Sequence, residues 1–198
     1  MIVLGLTGSI GMGKSVTAQI FRDLGLPVHD ADAAVHDLYQ GAAAPLIEAA
    51  FPGAVSNGVV DRQILAQKVL NNPEALKTLE AIVHPLVAQT RDNFLALCEK
   101  NNVAAAVLDI PLLFETGSES LVDRIVVVTA PGDVQRARVL ARTHMTQERF
   151  ETILAKQMPD DQKRAKADFI VDTSRGVAFA RQQVQDILRQ IGLNQHHA

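Results

Sequence analysis

The octapeptide GSIGMGKS at residues 8–15 follows the apolar run Met1 to Leu6 and precedes VTAQIFRDLG, whose apolar residues recur at helical spacing. It therefore reads as a loop between a strand and a helix. Gly8, Gly13, Lys14 and Ser15 occupy the fixed positions of G-x-x-x-x-G-K-[ST]. Gly8 and Gly13 permit backbone conformations and close approaches that a Cβ would hinder, which turns successive N–H groups toward a phosphate at a helix N-terminus. Lys14 is long enough to reach the β and γ phosphates of a nucleotide, and Ser15 has the hydroxyl that ligates Mg²⁺ in such loops. A chance glycine-rich turn is the rival reading, but it gives no reason for the flanking strand and helix.

Outward from this loop, strand-like runs occur at Ile2–Thr7, Pro27–His29, Val103–Asp109, Arg124–Thr129 and Phe169–Asp172, separated by helical pattern. The alternation predicts an α/β fold with a five-stranded, mainly parallel sheet sandwiched by helices. IVLGL, VAAAVLDI and RIVVV are almost continuously apolar, as strands buried on both faces are. Between the second and third runs lie about seventy residues, too many for an ordinary crossover. Helical patterns at DRQILAQKVL, PEALKTLEAIV and PLVAQTRDNFLALCEK make this an inserted helical subdomain, with breaks expected at Asn71–Pro73 and at His84–Pro85. A smaller insertion after the fourth run, VQRARVLARTHMTQERFETILAKQM, predicts two polar, basic-faced helices.

With 198 residues, 47% hydrophobic and 21% charged, the chain has ordinary globular composition and length for one main domain. A net charge of -3 gives no bulk basic field, so nucleic acid is not an expected partner. Cys98 is the only cysteine, which excludes an intrachain disulfide and cysteine-rich metal clusters and fits a reducing cytoplasm. The N-terminus has no basic n-region, and no stretch reaches the length of a membrane span. The closing HHA reads as a chain end rather than a metal site.

Several polar residues stand where ligands bind in open parallel sheets. PVHDAD sets Asp30 and Asp32 at the end of the second strand; Asp32 reads equally as the acid that orients an acceptor hydroxyl or as the N-cap of the helix AVHDLY. Asp109 ends a hydrophobic strand, as expected of a residue that positions Mg²⁺ beside the first loop, with Glu115 a weaker candidate. Gln135, Arg138 and Arg142 have i, i+3, i+7 spacing and so share one helix face, which would either clamp transferring phosphate oxygens or be a solvated charged face.

Taken together, GLTGSIGMGKS, VHDAD, DRQILAQKVL, the HPL of His84–Leu86, DIPLLFE, QRARVLAR and ADFIVDT resemble the dephospho-CoA kinases in order and spacing, from Ile2 to about Gly176. The resemblance implies ATP-dependent phosphorylation of the ribose 3'-hydroxyl of dephospho-CoA with Mg²⁺, giving CoA and ADP in the final step of CoA biosynthesis. It further implies one P-loop kinase domain over residues 1–198, with a helical CoA-binding subdomain at 57–95 and a lid at 134–158. Gly8, Gly11, Met12, Gly13, Lys14, Ser15 and Val16 would hold the nucleotide, with Ser15 and Asp109 toward the metal. Asp32 would be the catalytic base beside Lys14, Arg138 and Arg142 would approach the ATP phosphates, and Arg62 and His84 would lie on the acceptor side. The expected partner is the small molecule dephospho-CoA, with no nucleic acid, membrane or obligate protein partner.

Three positions depart from the family pattern: Met12 where Ser is usual, Val16 where Thr is common and Thr173 where Asp-Asn is common. Met12 and Val16 leave the backbone cradle intact, whereas Thr173 removes the basis for an adenine contact at that position. The rival functions are another small-molecule or nucleoside monophosphate kinase, with the same core and lid, and a GTPase-like switch, against which the lack of an N-K-x-D segment counts.

Overall fold

The computed structural model describes residues 1–193, so His196 and His197 of the closing HHA lie outside the described residues. The chain divides into two compact units, one made of Met1–His29 with the chain from Cys98 onward, the other Asp30–Leu97. In chain order the strands are β1 (Ile2–Thr7), β2 (Val28–Asp30), β3 (Val55–Ser56), β4 (Val59–Val60), β5 (Ala105–Asp109), β6 (Arg124–Thr129) and β7 (Phe169–Asp172). The helices are α1 (Lys14–Asp23), α2 (Ala31–Tyr39), α3 (Ala44–Ala50), α4 (Arg62–Val69), α5 (Pro73–Lys100), α6 (Gly132–Leu140), α7 (Gln147–Leu154), α8 (Asp160–Ala165) and α9 (Val177–Gln190).

The first unit is built on a five-stranded sheet of order β2-β5-β1-β6-β7. β1 runs parallel to β5 and β6, and β6 parallel to β7. Leu6 is in register with Asp109, Thr7 with Val127 and Thr129 with Asp172, so the carboxyl ends of four strands lie along one edge. The period of two in a strand explains how β6 is used. Val126 and Val128 join the core formed with Ile20 and Phe21 of α1 and Val184 and Ile187 of α9, while Val127 between them packs with Leu113 and Phe114. Burial on both faces is what a continuous apolar run encodes. α1 ends in a Schellman turn: Gly25 has φ 84, and the Leu26 amide donates to the Phe21 carbonyl at 3.0 Å, which returns the chain toward β2.

The second unit has its own core of Leu38, Ile47, Phe51, Val60, Leu65 and Val83. Its helices α4 and α5 begin at side-chain caps. Asp61 accepts from the amides of Gln63 and Ile64 ahead of α4, and Asn72 accepts from the Ala75 amide at 3.1 Å with Pro73 in the first position of α5. The Asn71–Pro73 punctuation is thus a helix start. The break expected at His84–Pro85 is not there: α5 is one helix of 28 residues with Pro85 inside it. A proline within a helix costs roughly 3 kcal/mol. Leu79, Ile82, Val83, Leu86 and Val87, around the proline, pack on the core, and at about 1 kcal/mol or more each they outweigh that cost. The hairpin β3–β4 was not anticipated, although its turn, Asn57-Gly58 with φ 52 and 77, is the residue pair that such hairpins favour.

Candidate active site

The phosphate loop starts where β1 ends. Gly8 meets a limit of space, since a Cβ there would lie 2.7 Å from the Val128 carbonyl oxygen. Gly11, at φ 80, would bring a Cβ to 2.4 Å from Val139 Cγ2 of α6, so the loop fits against that helix only without a side chain. Gly13, at φ 94, occupies the N-cap of α1 in the left-handed region. The Thr17 amide donates to the Gly13 carbonyl, so the amides of Lys14, Ser15 and Val16 precede the first helical bond and point out of the helix end. Ser15 and Val16 are exposed there. Met12 is different: its side chain is buried, and Sδ accepts from the Ala130 amide at 3.1 Å, so only its backbone is left to border a nucleotide.

Side chains from distant parts of the same unit hold this loop. Gln135 of α6 donates through Nε2 to the Ile10 carbonyl at 2.7 Å, and Gln157, after α7, accepts from the Ile10 amide at 3.0 Å. Lys14 Nζ lies 2.6 Å from Oδ1 of Asp109, a residue only 2% exposed at the end of β5. Both Arg138 Nη atoms are bound to Thr173, Nη1 to its hydroxyl at 2.8 Å and Nη2 to its carbonyl at 2.7 Å. Thr173, set aside as a site on sequence grounds, therefore lies at the loop, and Gln157 is a further contact that no pattern marked. The expected single face of Gln135, Arg138 and Arg142 is not formed. α6 ends at Leu140, and the Arg142 amide donates to Val139 rather than to Arg138, so the exposed Arg142 lies in the turn beyond the helix.

Glu115 is occupied in a different way. Its carboxylate accepts from the Met158 amide at 2.8 Å and pairs at 2.8 Å with Lys163 of α8, a lysine with no exposed surface. Burial alone would raise this carboxyl. Hydrogen bonds from Lys163, the Met158 amide and its own amide, with the Lys163 charge, outweigh burial and hold it below the ordinary 4.5. The stabilisation is thus complete above the unfolded carboxyl's value and is lost as pH falls through the lower folded value. Lys163→Met should cost about 3 kcal/mol at neutral pH, since it leaves the carboxylate without its charge partner. The gap between wild type and variant should narrow as pH falls through the lowered wild-type value, below which both proteins carry a protonated Glu115. Urea midpoints at a series of pH values measure this, and a gap independent of pH would refute it.

The acceptor-side candidates belong to the second unit. The N-cap of α2 is Asp30, whose Oδ1 accepts from the amides of Asp32 and Ala33 at 3.0 Å each. Asp32 is exposed in the first turn of that helix, so the capping reading does not apply to it. Arg62, the first residue of α4, has its guanidinium carbon 5.2 Å from the centre of the Tyr39 ring, and Nη2 lies 3.5 Å from His36 Nδ1. Burial raises the Tyr39 hydroxyl, and the Arg62 charge offsets part of that rise. His84 is exposed on α5, ahead of Pro85.

A glycine loop joining β1 to α1 at the carboxyl edge of a parallel sheet, with its lysine against a carboxylate at the end of the neighbouring strand, defines a P-loop nucleotide-binding fold, the class that includes the P-loop kinases. The family model described as dephospho-CoA kinase matches residues 2–178. The chain belongs to the dephospho-CoA kinase family. It is 60% identical over 191 residues to the dephospho-CoA kinase of Mesorhizobium japonicum, covering 96% of this chain and 97% of that one. Among solved structures it is similar to a Thermus thermophilus protein, with TM-score 0.82, 33% identity and 98% of each chain covered. It is also similar to the dephospho-CoA kinase from Campylobacter jejuni, with TM-score 0.67, 28% identity and 96% of each chain covered.

Proposed function

We infer that the chain transfers the γ-phosphoryl group of ATP, with Mg²⁺, to the ribose 3'-hydroxyl of dephospho-CoA, giving CoA and ADP as the last step of CoA biosynthesis. Membership of the family over residues 2–178 carries this reading, and the Lys14–Asp109 loop geometry supports the chemistry. Mg²⁺ suits sites with one or two protein oxygens completed by phosphates and water. Ser15 and Asp109 offer such a pair, and among the described residues there is no cluster of three or more acidic, histidine or cysteine side chains that would hold an ion by itself. The metal, when bound to the nucleotide, supplies charge neutralisation at the transferring phosphate. Lys14 holds the phosphates, Arg138 and Arg142 stabilise charge on them, and Asp32 orients the acceptor hydroxyl and takes its proton. Arg62 and His84 bind the acceptor. Residues 57–95 form its binding subdomain and 134–158 the lid. The single cysteine, Cys98, fits work in the reducing cytoplasm. No helix among the described residues is long and apolar enough to cross a membrane.

Purified protein with MgATP and dephospho-CoA should yield equimolar CoA and ADP, measured by chromatography of both products. A folded chain that makes no CoA at saturating substrate, or that turns over a nucleoside monophosphate faster, would overturn the assignment.

A further inference from the structure

We propose that Thr173 is a positioning residue for phosphoryl transfer, whose single side chain sets the Arg138 guanidinium and the phosphate loop relative to each other. The inference rests on the role given to Arg138 above. Thr173 is 6% exposed just past the end of β7, and its amide donates to the Thr129 carbonyl at 3.0 Å, extending the pairing of β7 with β6. Its backbone is therefore anchored in the sheet. Its hydroxyl donates to the Met12 carbonyl at 2.7 Å and accepts from Arg138 Nη1 at 2.8 Å, which uses the one proton and a lone pair in opposite directions. The Thr129 carbonyl, at 3.3 Å, is the longer second choice for the same proton. A Cβ built on Gly13 would lie 2.9 Å from Thr173 Oγ1 and 3.0 Å from Cγ2, so this side chain also packs directly against the N-cap residue of α1.

The consequence for chemistry lies in what Arg138 keeps. A guanidinium has five N–H groups in a fixed plane, and two are held by Thr173, one on each terminal nitrogen. Nε–H and the second hydrogen on each terminal nitrogen remain for an anion, and the plane in which they lie is fixed by the two bonds already made. Such preorganisation matters to rate more than to stability, because a donor aimed at developing charge loses effect steeply when it is displaced. Serine and threonine can both make the bridge, whereas valine keeps the shape and the backbone carbonyl but loses the hydroxyl.

The test compares wild type, Thr173→Val, Thr173→Ser, Arg138→Lys and the double variant Thr173→Val/Arg138→Lys, with kcat, ATP KM, melting temperature and calorimetric ADP affinity without acceptor. Thr173→Val is expected to lower kcat about 10- to 100-fold and to weaken ADP several-fold, while Thr173→Ser restores both. The double variant should be no slower than Arg138→Lys alone, since residues acting through one contact are not additive. Wild-type kcat and wild-type ADP affinity in Thr173→Val, or fully additive losses in the double variant, would overturn the inference; so would a fall in melting temperature with no change in either. If Thr173→Val does not fold, Thr173→Ala is read by the same criteria. Failure of the wild type to phosphorylate dephospho-CoA would overturn the proposed reaction instead, and ADP affinity then decides on Thr173.

Discussion

Lys14→Ala is expected to lower kcat by about 10²- to 10³-fold, the scale set by removing one preorganised group that stabilises transition-state charge. The same substitution disturbs the protein without substrate, because Nζ lies 2.6 Å from Asp109, which is 2% exposed. Removing one partner of a buried pair leaves a carboxylate that water does not reach, at a cost of about 3 kcal/mol or somewhat less where other partners remain, as they do for Asp109. A loss of rate in the alanine variant alone would therefore mix two effects. Lys14→Arg separates them. Arginine keeps a cation for Asp109, but its planar fork does not match the compact ammonium that the proposed contact with two phosphates calls for. The arginine variant is expected to melt close to wild type and still lose at least about tenfold in kcat, each factor of ten being worth 1.4 kcal/mol. Calorimetric melting with steady-state kinetics on both variants measures this. An arginine variant with full activity would show that Lys14 acts only as a charge, and an alanine variant with full activity would remove it from the mechanism.

Burial decided how much of the molecule was legible. β1, β6 and β7 have the bounds read from the sequence; for β1 and β6 this is because a strand covered on both faces carries an uninterrupted signal, whereas β7 is an edge strand with Ile170 exposed. β5 begins at Ala105 rather than Val103 for a specific reason. Asn102 at φ 53 and the bond from the Val103 amide to the Cys98 carbonyl close the end of α5, so Val103 belongs to the helix terminus although its side chain favours a strand. The loop residues and Asp109 were visible because each is local: a motif, or an acid at the end of one strand. Thr173 was not. Its partners Met12 and Arg138 are 161 and 35 residues away in sequence, and no periodicity links them. The helix face expected to carry Arg142 fails in the opposite sense, since the spacing is helical but the helix stops two residues before it.

Asp32→Asn is expected to lose about 10²- to 10⁴-fold in kcat, the range for removal of a general base, while thermal stability and ATP KM stay near wild type. The sequence alone left this residue open between catalysis and capping, and the two would have been hard to separate by mutation, since asparagine and aspartate are nearly equal caps. The structure removes that difficulty by giving the cap to Asp30, which accepts from the amides of Asp32 and Ala33. The two aspartates now make opposite expectations. Asp30→Ala should cost about 1 kcal/mol of stability through loss of those two bonds. Asp32→Ala should cost only a few tenths, from the loss of a negative charge in the first turn of a helix, and should share the turnover defect of Asp32→Asn, because neither an amide nor a methyl takes the acceptor's proton. Denaturant midpoints and steady-state kinetics on Asp30→Ala, Asp32→Ala and Asp32→Asn read both quantities at once. An Asp32→Asn enzyme within a few-fold of wild type would rule out a proton-accepting role. Asp30 would then be the group to examine, and its carboxylate would have to accept the proton with one oxygen while the other caps α2.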